Sequence, residues 1–340
     1  MVFEGKVVMA CERYAERQQP TDDVGEQGSQ AGGRHDGDDD QPMGGGGGAA
    51  YGNKPSQLPY KFLHRSCFRR ERVAEIEQKR IVVCADDFGM NRAIDAGILE
   101  LGGSGRLNAT SCLALGPSFA ASASALRACS GMQAGLHLNF TESLDQAGLY
   151  LPVSTLIVRS WTRRLHPGRI KDQIGRQLDR YEDLMGRRPD FVDGHQHVHQ
   201  FPQIRGELLA ELERRYAGAR PWLRYTRSAA LSGMPAGLRM KARIIETLGA
   251  RCFGRMARKR GFALNRRFLG VYDFQGGEAV YAGLLQQWLR LARDGDAIMC
   301  HPASQALAGD GLGVQRLAEF RVLGSASMAA WLKEYRISLA

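Results

Sequence analysis

Residues 80–89 read RIVVCADDFG: a short β-branched run over residues 81–84 that ends on two adjacent carboxylates, Asp86 and Asp87. A compact apolar run of this length fits a buried strand. Two carboxylates at its end are costly unless they are paired, hydrogen-bonded or bound to a metal. An aspartate ahead of a helix often serves as an N-cap, but a cap needs one and this segment supplies two. The pair is read as one metal ligand and one base.

The same texture recurs downstream. Further strand candidates lie at 109–115, 133–138, 191–193, 222–225 and 297–300, and amphipathic helix candidates at 92–101, 119–127, 170–185, 204–216, 238–259 and 279–293, with another near the C-terminus. This is βα alternation without a fixed-period repeat. It fits an α/β fold, either a (β/α) barrel or an open doubly wound sheet. Polar clusters follow the first, third, fourth and last of the strand candidates. A barrel distributes catalytic groups over many strand ends in this way, whereas an open sheet gathers them at one switch point. The expectation is a barrel over residues 80–340.

Residues 1–79 differ. They hold a DGDDD cluster, a GGGGG run and few large apolar side chains, too little to offset the entropy of ordering. They are expected to form a disordered extension and linker. The 340 residues carry 46 Lys and Arg against 36 Asp and Glu, but residues 1–75 are net acidic, so the basic character belongs to the remainder. The seven cysteines show no C-x-x-C spacing, and Cys84, Cys112 and Cys300 lie in apolar runs, which suggests reduced thiols. The N-terminus has scattered charges and no apolar core of a secretory signal, so a cytoplasmic location is expected. The uncharged stretch 107–126 is interrupted by Asn108, Gly116, Pro117 and several serines, which argues against a membrane span.

Three more segments carry chemistry. GLHLNFTE, 135–142, puts His137 inside an apolar strand. DGHQHVHQFP, 193–202, is the strongest local signal: His195, His197 and His199 recur with period two, so an extended chain would aim all three imidazoles to one side, with Asp193 placed to orient one of them. IMCHPA, 298–303, ends another strand on His301. Carboxylate and imidazole ligands that leave open positions suit a mononuclear metal hydrolase acting on an amide or ester. A serine nucleophile is disfavoured because no G-x-S-x-G elbow is present.

ADDFG after a first strand, GLH after a third, DGHQHVH followed by FPQI, and a late HP dipeptide stand in the order seen in the YdjC-like carbohydrate deacetylases, and the chain from Arg80 onward resembles that family. The family includes chitooligosaccharide deacetylases and a hopanoid-biosynthesis-associated branch. The resemblance implies an irregular (β/α) barrel of the glycoside hydrolase/deacetylase type and removal of an acetyl group from an N-acetylated sugar or glycoconjugate. It implies one divalent metal ion, magnesium or zinc, held by Asp87, His137 and His195. Asp86 would be the general base, and His301 would protonate the leaving amine or steady the oxyanion. Asp193, His197 and His199 would contact substrate or support the ligands. The late motif reads HPA where relatives often have HPG.

Rival readings are a metal-dependent phosphoesterase or other hydrolase on the same barrel, and a non-catalytic sugar- or metal-binding protein. The basic stretch 238–267 has apolar residues at helical spacing with Arg and Lys on its other faces. It suggests a peripheral contact with an anionic membrane or a lipid-linked substrate. No nucleic-acid recognition motif accompanies the charge, so nucleic acid is not an expected partner. A homodimer is compatible with the reading.

Overall fold

The computed structural model describes residues 78–339. The expected disordered extension lies almost wholly outside them. The elements alternate: β1 (Lys79–Phe88), α1 (Arg92–Gly103), β2 (Ala109–Cys112), α2 (Phe119–Ala128), β3 (Gln133–Leu138), α3 (Val153–Trp161), α4 (Pro167–Met185), β4 (Phe191–Gly194) and α5 (Ile204–Arg215). Then follow β5 (Trp222–Leu223), α6 (Ala236–Ile245), α7 (Arg251–Lys259), β6 (Phe268–Leu269), α8 (Gly277–Leu291), β7 (Ala297–Cys300), α9 (Gly313–Gly324), α10 (Ala326–Glu334) and β8 (Ile337–Leu339).

Every strand pairing is parallel, in the order β5-β4-β3-β2-β1-β7-β6, with β8 beside the start of β1. Two bridges, Leu223 to Leu264 and Ser228 to Phe268, join the β5 edge to the β6 edge. The sheet therefore closes into the irregular (β/α) barrel expected from the sequence, with short strands on the β5–β6 side.

Side chains alternate across each strand and divide the core in two. The outward set, including Val83, Ala85, Leu136, Val192, Leu223 and Ile298, is buried with the helices in one large cluster. The inward set starts as an apolar plug of Cys84, Ala109 and Phe191 with Val82 and Trp222. Phe191 stacks on Trp222 at 4.4 Å between centroids, and Trp222 Nε1 donates to Gln133 Oε1 at 2.8 Å. Gly135 is needed here because a Cβ would stand 2.5 Å from the Phe191 ring.

Helix α4 illustrates how the outer layer forms. Pro167 opens it, Gly186 closes it in the left-handed region, and Ile170, Ile174, Leu178, Tyr181 and Met185 recur along the buried face. The helix expected over 238–259 is instead two helices: at Gly249, φ 139°, the axis breaks, and a Cβ there would run into the Gln200 carbonyl. Helix α3 and the short β6 and β8 lacked a sequence signal strong enough to mark them. The uncharged stretch 107–126 contains β2 and most of α2. No helix of the described residues is long and apolar enough to cross a membrane.

Candidate metal centre and active site

The period-two ladder that builds the plug also builds the site. One step toward the C-terminal end of each strand, Cys84 gives way to Asp86, Ala109 to Ser111, Gly135 to His137, Phe191 to Asp193 and Trp222 to Arg224. The barrel interior thus changes from apolar to charged within two residues. The carboxylate pair was expected after β1, yet both residues lie within it. The pairing of β1 with β2 shifts between Ala85 and Phe88, and Asp87 has φ 70°. A regular strand would send adjacent side chains to opposite faces; this bulge lets both carboxylates reach the same mouth.

Asp87, His137 and His195 each offer a ligand atom, all within 4.8 Å of one another. Asp87 Oδ1 lies 3.4 Å from His137 Nε2 and 3.0 Å from His195 Nδ1. On the other side of its ring, His137 Nδ1 sits 2.7 Å from Asp193 Oδ1, and the β3–β4 register places these two residues opposite each other. Ser111 Oγ bonds the same Asp193 oxygen. Such a carboxylate fixes the tautomer and orientation of a metal-binding imidazole.

Buried charge decides whether a cation fits. Asp86, Asp87 and Asp193 are each at most 1% exposed, and the guanidinium groups of Arg224 and Arg316 supply two of the charges that face them. The remaining negative charge is balanced by a proton on His137 or, in its place, by a bound cation. Burial opposes protonation of His137, but the charges of Asp193 and Asp86 outweigh it and lift the imidazole to about 10. Burial likewise opposes ionisation of Asp87, but Arg316, His195 and His137 hold its carboxyl well below the usual range. An ionised oxygen donor, two imidazoles and a field that favours one more positive charge fit a divalent cation.

The second carboxylate is occupied differently. Arg224, fully buried, donates to Asp86 Oδ2 and Oδ1 at 2.6 Å each and reaches Asp193 Oδ2 at 2.7 Å. His301 Nε2 lies 4.0 Å from Asp86 Oδ2. Burial pushes the His301 imidazole down to about 4, so it is neutral at neutral pH, and its Nδ1 has no hydrogen-bond partner among the described residues. Phe274 packs against its ring at 4.9 Å. Helix α9 fixes this side of the site from two positions one turn apart. Arg316 Nη2 donates to Asp87 Oδ2 at 2.7 Å, and Glu319 Oε2 accepts from the His301 backbone N–H at 2.6 Å.

The three histidines of the 193–202 segment do not share a face. The strand ends at Gly194, and residues 195–200 form a tight turn with Gln196 at φ 51° and His197 at φ 61°. Tight turning replaces the extended run because the chain must swing from β4 onto α5. His195 joins Asp87 and His137 in the candidate ligand group. His197 is buried edge-on to Phe268 at 5.5 Å. His199 is fully buried, with its Nε2 2.9 Å from the Arg224 carbonyl oxygen and its ring edge-on to Phe253. The structure therefore brings Asp86, Asp87, His137, Asp193, His195 and His301 together and sets His197 and His199 into the surrounding wall.

Sequence reasoning missed Ser111, Arg224, Arg316 and Glu319. Ser111 and Arg224 were within reach, since each lies in a recognised strand segment, two residues beyond an inward-facing apolar residue. Arg316 and Glu319 lie on a helix far along the chain, and nothing local marks them.

The profile of the family described as YdjC-like protein matches residues 80–334. A mouse carbohydrate deacetylase is 28% identical over 295 residues, covering 76% of this chain and 93% of its own. A chitooligosaccharide deacetylase from Salmonella schwarzengrund is 27% identical over 273 residues, covering 76% and 95%. Among solved structures, an Enterococcus faecalis V583 protein for which cellobiose-phosphate cleavage has been suggested superposes with a TM-score of 0.57 at 23% identity. It covers 78% of this chain and 97% of its own, and it supports the fold.

Proposed function

We propose that this chain, which belongs to the YdjC-like protein family, is a metal-dependent carbohydrate deacetylase that hydrolyses the acetamide of an N-acetylated sugar or glycoconjugate. The observation that carries the reading is the convergence of Asp87, His137 and His195 within 4.8 Å, beside a second carboxylate and an imidazole that are not needed as ligands. The names of the mouse and Salmonella relatives point the same way.

A divalent ion, magnesium or zinc, held by those three side chains would polarise the acetamide carbonyl and acidify water. The protein's own residues then handle the proton. Asp86, oriented by Arg224, with Oδ1 also accepting from the Cys84 thiol, keeps a free lone pair on Oδ2 and accepts the proton there as water adds to the carbonyl carbon. His301, neutral at the outset, receives that proton and passes it to the amine nitrogen as the C–N bond breaks. The products are acetate and the free amino sugar, and Asp86 returns to its ionised form. Phe274 and the buried walls exclude bulk water from this transfer.

The test is acetate release from metal-reconstituted protein supplied with N-acetylglucosamine oligomers and single acetamido sugars, with a parallel panel of phosphate esters. Release of acetate supports the reading. Turnover of phosphate esters alone, or tight sugar binding with no acetate, would replace it with one of its rivals.

A further inference from the structure

In a parallel barrel the connections leaving the strand C-termini surround the site, and this end of the protein has an unusual surface. Among the described residues the exposed large apolar side chains are Val158, Met240, Val280, Leu307 and Val314. Leu307 lies in such a connection, Met240, Val280 and Val314 in the first half of the helix that follows, and Val158 in α3, the short helix between β3 and α4. Single exposed apolar residues are ordinary, but their confinement to one end is not.

Two of them sit on helices that flank the His195 turn. Helix α3 is tied to it through Ser160, whose hydroxyl donates to the Pro202 carbonyl, and through Leu165, which exchanges two hydrogen bonds with the Gln203 side chain at 3.1 and 2.9 Å. Helix α6 is tied to it where Gln200 Nε2 donates to the Ile245 carbonyl at 2.9 Å. Lys241 of α6 donates to the Tyr272 carbonyl at 2.7 Å and lies over the ring of Phe274, the residue packed against His301.

Both helices are barely embedded. Helix α6 buries only Ala242, and α3 only Leu156 and Ser160. Their outer faces show Met240, 62% exposed, and Val158, 44% exposed, among exposed Arg159, Arg163, Arg164, Arg239 and Arg243. No acidic residue occurs in 153–166 or 236–245; Glu246 follows directly and pairs with Arg251, and the exposed acids Glu142, Asp145, Asp273 and Glu278 of this end lie in other segments.

We infer that the α3–α6 sector is a docking surface for an anionic lipid leaflet, which it meets with the mouth of the barrel turned toward the head groups. Arginines answer the lipid phosphates, and Met240 and Val158 enter the boundary between head groups and acyl chains. Nucleic acid would engage the charge but leave those apolar side chains in water. The consequence for substrate rests on the deacetylase reading: the acetamido sugar reaches Asp86 and His301 as part of a lipid head group.

The full chain is sedimented with vesicles of phosphatidylcholine alone and of phosphatidylcholine with phosphatidylglycerol. Two variants are compared with it: Arg239→Gln, Met240→Gln and Arg243→Gln together, and Val158→Gln with Arg159→Gln. All these side chains are exposed and outside the reacting groups, so acetate release from soluble oligomers should be unchanged and thermal melting should confirm the fold. The expected result is binding to the phosphatidylglycerol vesicles only, weakened at least about tenfold in the triple variant, since each surface arginine contributes roughly a factor of five and two are removed. Absence of binding, equal binding by the variants, or preference for a short DNA duplex over vesicles overturns the inference. Vesicle binding that responds to the variants in a protein that releases acetate neither from any oligomer nor from a lipid-linked acetamido sugar sustains the docking surface and removes the deacetylase reading.

Discussion

Arg224 and Asp86 form a two-point contact inside the barrel, each guanidinium nitrogen 2.6 Å from one carboxylate oxygen, and Arg224 also reaches Asp193 at 2.7 Å. One side chain thereby orients the proposed base and anchors the carboxylate that holds His137, a proposed metal ligand. A buried ion pair adds little net stability, but breaking one leaves an uncompensated charge. Replacing Arg224 by Met should lower the unfolding free energy by about 3–5 kcal/mol in a urea titration. Arg224→Lys keeps a charge but cannot span both oxygens, and it should retain metal while losing at least about tenfold in kcat. A lysine variant with full turnover would contradict the orienting role.

Metal binding should depend on pH through His137. Its imidazole holds a proton up to about 10 under the charges of Asp193 and Asp86, which outweigh the opposing effect of burial, and a metal must displace that proton. Affinity should therefore rise with pH through the neutral range, by about tenfold per unit for one proton released. Calorimetry in buffers of different ionisation enthalpy measures that proton. If the count at neutral pH is zero, His137 is not a ligand in the form described.

Replacing Asp193 by Asn should weaken metal binding by about 10–100-fold without abolishing the site, because the residue acts on His137 and not on the ion. Loss of all binding in a folded variant would place Asp193 among the ligands.

Glu319 gives a pH signature of stability. Burial pushes its carboxyl up to about 7, against an ordinary value of 4.5. The folded state thus holds a proton that the unfolded state releases, so its contribution favours folding below about 4.5 and is lost as pH rises to about 7. The shift corresponds to roughly 3 kcal/mol. Glu319→Gln should flatten the fall of stability between these values, which denaturant titrations at several pH values would show. An unchanged slope would mean that Glu319 is ionised throughout.

Gly135→Ala tests the packing beneath the site. A methyl placed 2.5 Å from the Phe191 ring must displace it, and overpacking of this kind costs about 1–3 kcal/mol. An unaltered melting temperature would show that the plug yields more readily than the close contact suggests.

Much of this architecture was legible because two periodicities coincide in the sequence. The strands at 133–138 and 297–300 fall where the apolar runs place them, and the polar clusters after four strands anticipated a barrel mouth. The resemblance to a known family, more than spacing, supplied the roles of Asp87, His137 and His195. What the sequence hid was long-range. The bulge that turns Asp86 and Asp87 the same way depends on pairing with β2, and the turn at 195–200 overrides the extended geometry that three alternating histidines suggest. Arg316 and Glu319 reach the site across more than 200 and just 18 residues, to Asp87 and His301 respectively, by helix packing that leaves no local mark.

The most direct measurement pairs Asp86→Asn with Asp87→Asn and determines, in each, the bound metal and the acetate released from an N-acetylglucosamine oligomer. The account predicts that Asp86→Asn retains metal and loses most turnover, whereas Asp87→Asn loses both. Retained turnover in Asp86→Asn, or full metal content in Asp87→Asn, would contradict the division of labour between the two carboxylates on which the reading stands.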